Sequence, residues 1–211
     1  HDIPNRGPFD NMMLYHLGWQ NENGEPINSE NRGKCLRPTL CLFACEALGG
    51  DWTNALPAAV ALELIHNFSL IHDDIQDEDT ERRHRPTIWK LWGKPKGILI
   101  GNTMRCLADQ ALFELSYKDV SSSKIARASS LLTWSCLEMI KGQSLDLEFE
   151  GAKKVSIKDY MEMISYKTGT LIRCSMEMGA LMASDDPSYI SAFAECGVHL
   201  GLAFQIRDDV L

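Results

Sequence analysis

Six acidic residues crowd between positions 73 and 81: Asp73, Asp74, Asp77, Glu78, Asp79 and Glu81. An arbitrary acidic run is usually a solvated helix end, but this one closes the most apolar helical stretch of the chain. Asp73 and Asp77 are four apart, which on a helix sets them on one face, about 5–6 Å from each other. At an effective dielectric near 20, two carboxylates at that distance repel by roughly 3 kcal/mol. The helix dipole adds to the cost, because acids belong at helix N-termini and this cluster sits toward a C-terminus. A divalent cation relieves both. All-oxygen ligands suit magnesium, which keeps some waters and usually shares its shell with substrate phosphates. A second pair, Asp208-Asp209, ends the last helical stretch. Two acidic helix ends in one bundle, facing each other across a cavity, would hold several metal ions.

Cations accompany the acids. Lys34 and Arg37 stand three apart at a helix start, where side-chain charge and free backbone N–H groups favour an anion together. Arg82, Arg83 and Arg85 follow the acidic run directly. Guanidinium groups suit phosphate bidentately, and a metal-bound diphosphate needs its remaining oxygens covered. A lone Lys or Arg is ordinarily a solubilising surface residue; two basic groups flanking one acidic cluster point instead to a phosphorylated ligand.

These residues need a scaffold. The 211 residues, 45% of them apolar, suffice for a single sizeable core. A net charge of -8 argues against a nucleic-acid binder. Seven cysteines with no CxxC suggest buried thiols in a reducing, cytoplasmic setting. Glu63, His66 and Asn67 interrupt the most apolar stretch, so no spanning segment is expected. Residues 1–32 read as mostly irregular, with one short helix around Met12 to Trp19. Pro38 opens a helix ended by Gly49-Gly50, and Thr53 caps the next, apolar nearly all round and running to Asp77. Pro86 and Gly93-Lys94-Pro95 mark a connection. Helices then follow over 98–117, over 121–148, from a Ser156/Asp159 capping box to 183, and from Asp186-Pro187 to the end. No strand alternation appears. The expectation is one all-α domain over 1–211, a bundle of long, mostly antiparallel helices around a central cavity. The last helix runs to Leu211 without a stop signal, which predicts further C-terminal helices and little activity for the 211 residues alone.

Taken in order, the motifs resemble those of the trans-isoprenyl diphosphate synthases, the polyprenyl synthase family, from Gly33 to Leu211. They are Gly33-Lys34-x-x-Arg37-Pro38, Glu63-Leu64-Ile65-His66, Asp73-Asp74-x-x-Asp77 and Arg82-Arg83-x-Arg85-Pro86-Thr87. Gly142-Gln143-x-x-Asp146, Lys167-Thr168-Gly169 and Phe204-Gln205-x-x-Asp208-Asp209 complete the set. The resemblance implies the isoprenoid synthase fold and condensation of an allylic diphosphate with isopentenyl diphosphate. It implies about three magnesium ions, on Asp73 and Asp77 with Asp74 in support, and on Asp208. Arg82 would bind the allylic diphosphate; Lys34, Arg37, His66 and Arg83 the isopentenyl diphosphate. Lys167, Thr168 and Gln205 would line the path of the departing diphosphate, with Gln143, Asp146 and Asp209 as support. Phe68, five residues before Asp73, and Ser69 stand where the family sets product length, which favours a geranylgeranyl over a farnesyl product. A homodimer is implied as well.

Three positions depart from the family pattern. Arg32 and Cys35 replace a usual Gly and a basic residue, and Asn102 replaces an Asp. The third Asp of the second acidic motif would fall one residue past Leu211. Rival readings are a terpene cyclase, which needs no isopentenyl diphosphate site, and a non-catalytic subunit of a heteromeric synthase. A di-iron site on Glu63-x-x-His66 lacks its second Glu-x-x-His.

Overall fold

The structure, a computed structural model, describes residues 7–27 and 33–211; Arg32 lies outside them. The described residues contain nine α-helices, a 3-10 turn, a π-helical turn and one small hairpin, in keeping with the all-α expectation. By packing, the chain falls into two compact units. The first comprises His1–Cys35 and Leu64–Ala108, the second Leu36–Glu63 and Asp109–Leu211.

The first unit contains α1 (Pro8–His16), the second half of α3 (Trp52–Gln76), α4 (Ile88–Trp92) and most of α5 (Lys94–Phe113). Gly7 and Pro8 start α1, with Asp10 Oδ2 accepting the Gly7 N–H at 3.0 Å. Small residues let α5 approach α3 closely. A methyl group on Gly97 would come within 2.7 Å of Ile75, and one on Gly101 within 2.4 Å of the His72 ring. Between α3 and α4 lies a hairpin not foreseen from the sequence, β1 (Glu81–Arg82) paired antiparallel with β2 (Arg85–Pro86).

The second unit is built around α8 (Thr170–Ala183), the most completely buried helix. It packs against α2 (Leu36–Ala47), α6 (Ser122–Glu150) and α9 (Pro187–Val210). Leu171, Ile172 and Leu181 are buried there, and each contributes on the order of 2 kcal/mol. The core position expected for α3 holds for Ala55, Ala58, Leu62 and Ile65, whereas Leu56 and Val60 are exposed. By length and hydropathy α3 is apolar enough to cross a membrane, and 56% of that stretch is buried within the protein, as in a core helix.

Several boundaries differ from the expected ones. Helix α2 starts at Leu36, so Pro38 occupies its third position, still within the first turn where N–H groups lack helical partners. Asp51, not Thr53, caps α3: its Oδ1 accepts the Thr53 N–H at 2.9 Å and hydroxyl at 2.8 Å. Helix α5 ends at Phe113 and tightens into a 3-10 turn over Glu114–Tyr117. Ser121 and Asp186 cap α6 and α9 as expected, and Ser156 caps α7 (Ile157–Ile164). The helix expected from 156 to 183 is divided by a π-helical turn, Ser165–Gly169. None of the seven cysteines is in a disulfide; Cys41, Cys45, Cys136 and Cys174 are buried, whereas Cys35, Cys106 and Cys196 are exposed, against the expectation of buried thiols. Burial pushes the Cys174 thiol up to about 12, as expected of an inert core residue.

Candidate active-site clusters

In the first unit, α3 delivers the acidic run and then stops. The Asp77 N–H donates to the Asp73 carbonyl at 2.8 Å, so helical geometry carries Asp77 one turn beyond Asp73. Glu78 then takes a left-handed φ of 55° and ends the helix. The six acids separate into different roles. Glu78 pairs with Lys94 at 2.6 Å, and the Asp79 carbonyl accepts from Thr87 Oγ1 and Trp89 Nε1 at 2.8 and 2.7 Å. Asp74 turns inward, 1% exposed, and accepts from Arg82 Nε at 2.6 Å. Its Oδ2 is buried without a hydrogen-bond partner. Burial holds the Asp74 carboxyl up at about 6 despite the opposing Arg82 guanidinium, and Asp79 and Asp77 add to the rise.

Asp73 and Asp77 are the two carboxylates one turn apart that could hold a metal ion. Among the described residues no three His, Cys, Asp or Glu side chains converge on one point. The chemistry of an all-oxygen pair one turn apart suits a magnesium ion that would take the rest of its shell from water and phosphate oxygens.

The hairpin that follows presents the arginines. Its two turn residues, Arg83 and His84, have φ of 53° and 59°. This is the two-residue turn that usually holds Asn-Gly, and each side chain there costs on the order of 1 kcal/mol. Gly33 fits against the Arg83 guanidinium, where an added methyl group would stand 2.6 Å from a terminal nitrogen; the exposed Lys34 follows directly. Arg85 has a different task from the one its place in the basic run suggested. It donates to the Tyr15 carbonyl at 3.0 Å and the Gln20 carbonyl at 2.8 Å, and its guanidinium lies 3.9 Å above the Tyr15 ring.

Upstream on α3, Phe68 is buried with its ring edge-on to His72, centroids 4.8 Å apart. Ser69 donates its hydroxyl to the His66 carbonyl at 2.8 Å, which satisfies it locally. One turn before Phe68, Leu64 lines an apolar cavity of about 180 Å3 with Met13, Leu14, Leu17, Met104 and Leu107. Asn102, beside Gly101 on α5, is exposed.

His16, at the end of α1, is a residue the sequence reading passed over. Burial drives its imidazole down to about 3, the Arg83 and Arg82 guanidiniums push the same way, and a hydrogen bond with Asn67 opposes them. Unfolded His16 takes up a proton near 6.5, whereas the folded residue resists until about 3. Its contribution to stability is complete above pH 6.5 and is lost as pH falls toward 3. Asp74 runs the other way: its folded value lies above the ordinary 3.8, so its contribution grows as pH falls through 6. Urea unfolding of wild type and His16→Leu at pH 7 and 4.5 should show a smaller acid loss, or a gain, in the variant. A parallel loss in both proteins would remove His16 as the source of acid sensitivity.

In the second unit, the π-helical turn carries Lys167, Thr168 and Gly169. Such turns add a residue to the helix and re-aim its side chains. The turn is held closely on two sides. A methyl group on Gly142 of α6 would lie 2.2 Å from the Lys167 nitrogen, and one on Gly201 of α9 2.7 Å from the Gly169 Cα. Lys167 donates to Asp146 of α6. Thr168 donates to Gln205 Oε1 at 2.6 Å, Gln205 donates to Asp209 at 2.9 Å, and Tyr160 of α7 donates to the other Asp209 oxygen at 2.5 Å. That hydrogen bond to Asp209 raises the Tyr160 hydroxyl to about 12. Asp209 and Asp146 therefore serve as acceptors that hold Gln205 and Lys167. Asp208 is exposed on the last turn of α9. The Gln143 amide is buried with neither end partnered. Arg37 is half-buried with its Nε fully covered, its guanidinium lowered to about 10 by desolvation while the Glu63 carboxylate opposes the shift. This neighbour gives Glu63 a role without iron.

Tyr15, His16 and Tyr160 were the residues missed by sequence reasoning. Their partners stand 49 to 71 positions away, beyond any local pattern.

Residues 25–211 match the family model described as polyprenyl synthetase. The chain is 43% identical over 200 residues to the (2E,6E)-farnesyl diphosphate synthase of Mycobacterium tuberculosis, covering 95% of this chain and 54% of that protein. It is 40% identical over 206 residues to the geranylgeranyl diphosphate synthase of the same organism, covering 98% and 57%. Among solved structures, the polyprenyl synthetase of Streptomyces coelicolor A3(2) is similar with a TM-score of 0.90 and 38% identity, over 99% of this chain and 60% of that one. The chain spans about half the length of the curated relatives it matches.

Proposed function

This chain belongs to the polyprenyl synthetase family, and on that premise we propose that it condenses an allylic diphosphate with isopentenyl diphosphate to give an all-trans, medium-length prenyl diphosphate. The observation that carries the reading is the pair Asp73 and Asp77, one turn apart beside the half-buried Asp74–Arg82 ion pair. Magnesium, held by Asp73 and Asp77 with Asp208 as a further ligand, would neutralise the diphosphate charge that grows as the allylic C–O bond breaks. Arg82, fixed by Asp74, meets the allylic diphosphate. Arg83, against Gly33-Lys34, serves the isopentenyl diphosphate with Lys34, Arg37 and His66. Lys167, steadied by Asp146, and Thr168 with Gln205 bind the departing diphosphate. The double bond of isopentenyl diphosphate attacks the allylic carbon, and a proton lost to the released diphosphate restores an alkene. Seven cysteines without a disulfide support a cytoplasmic location, and a homodimer is the assembly expected of it.

Product mass analysis with magnesium, with and without isopentenyl diphosphate, tests the reaction. Longer prenyl diphosphates that require isopentenyl diphosphate support it. Cyclic hydrocarbons formed without isopentenyl diphosphate would make it a cyclase, and no product from the full-length protein would favour a non-catalytic subunit.

Product length rests on Phe68. An isoprene unit is about as long as one helical turn, roughly 5 Å, so a ring five residues before Asp73 stops the chain after a few units. Twenty carbons are expected over fifteen. Phe68→Ala should lengthen the products by one or more units at comparable turnover, since the apolar cavity at Leu64 lies one turn further along. An unchanged product distribution would leave Phe68 an ordinary core residue.

A further inference from the structure

The arginine hairpin holds a turn that its own residues disfavour, so something outside it must fix its shape. The contacts come from the end of α1, in residues that precede the family match at 25–211. Tyr15 donates its hydroxyl to the Pro86 carbonyl at 2.7 Å, while its own carbonyl accepts from Arg85 at 3.0 Å. The Tyr15 ring lies under the Arg85 guanidinium at 3.9 Å and packs edge-on against Trp92 at 5.1 Å. Arg85 also holds the Gln20 carbonyl at 2.8 Å. Both residues of β2 are thereby tied to α1, and Arg82 is paired with Arg85 across the ladder. The space enclosed by Tyr15, His16, Asp74, Arg82, Arg83 and Arg85 is a cavity of about 20 Å3, room for a water and too small for a phosphate group. Tyr15 and Arg85 therefore act on a ligand through the neighbouring arginines.

We infer that Tyr15 and Arg85 form a clamp that positions Arg82 and Arg83 for diphosphate by holding the left-handed turn at Arg83-His84, a role that rests on the function proposed above. Neither clamp residue touches substrate. Losing the clamp lets the turn relax and swings the two arginines away, which weakens diphosphate binding more than it slows the chemistry.

The test uses the full-length protein with an allylic primer, isopentenyl diphosphate and magnesium. Arg85→Met should raise KM for the allylic diphosphate about tenfold while kcat stays within about twofold. Adding His84→Gly to Arg85→Met gives the turn a residue that accepts positive φ freely and should bring KM back to within about threefold of wild type. A general loss of packing would not be rescued by a glycine. If Arg85→Met does not fold, Tyr15→Phe, which keeps the ring and removes one hydrogen bond, should raise the same KM about threefold at an unchanged melting temperature. Amide hydrogen exchange over residues 81–87 reads the clamp without turnover: Arg85→Met should speed it about tenfold and His84→Gly reverse the change. An unchanged KM in either clamp variant, or a raised KM that His84→Gly does not restore, overturns the clamp. An inactive wild type whose hairpin exchange still follows this pattern would overturn the proposed function and leave the clamp standing.

Discussion

Asp73→Ala is expected to lower turnover by at least about a thousandfold while leaving the helical fold intact. The substitution removes one of two carboxylates on a single helix face, and with it half of the protein ligands proposed for a metal at this end of α3. It also removes a charge that repels Asp77 one turn away. Circular dichroism and urea unfolding check the fold, and steady-state turnover checks the loss. Asp74 behaves differently under the same treatment. Its carboxyl is buried on Arg82, so Asp74→Ala strands a guanidinium and costs stability as well as activity. Turnover undiminished in Asp73→Ala would end the metal assignment.

The second large effect is structural in origin. Gly142→Ala should destabilise the protein by about 3 kcal/mol and reduce turnover about a hundredfold. The new methyl group would sit 2.2 Å from the Lys167 backbone nitrogen, with the Lys167 Cα at 2.6 Å. Backbone atoms cannot rotate aside as a side chain can, so α6 and the π-helical turn must separate. That separation moves Lys167 off Asp146 and Thr168 off Gln205, two contacts that aim functional groups. Gly151→Ala is the matched control, because a methyl group there meets nothing within 4 Å; it should change stability by less than about 0.5 kcal/mol. Equal effects of the two substitutions would show that close approach at Gly142 does not hold the turn.

Much of this arrangement was legible in the chain itself. Asp73 and Asp77 needed only helical spacing to be set on one face, and caps at Ser121, Ser156 and Asp186 lie beside the hydrophobic runs they start. Capping at α3 was ambiguous because Asp51 and Thr53 are both good caps two residues apart, and the side-chain geometry decided for Asp51. The hairpin escaped notice because its strands are two residues each and its turn carries Arg-His where a glycine would signal it. The π-helical turn is invisible to periodicity, since one extra residue inside 27 shifts the apolar face too little to read. Asp146 and Asp209 carry a supporting role in the family pattern, and the structure adds their partners: Asp146 accepts from Lys167, and Asp209 from Gln205 and Tyr160. Arg85 looked like a third phosphate ligand because only its sequence neighbours were visible, and Tyr15 stands 70 positions earlier.

The central claim is that the first acidic cluster receives an allylic diphosphate through magnesium. Calorimetric titration with an unreactive allylic thiodiphosphate measures this directly, with wild type in magnesium, wild type in chelator, and Asp73→Ala in magnesium. Saturable binding in the first case, and at least about a hundredfold weaker binding in the other two, is the predicted result. Binding of equal strength with and without magnesium would contradict it.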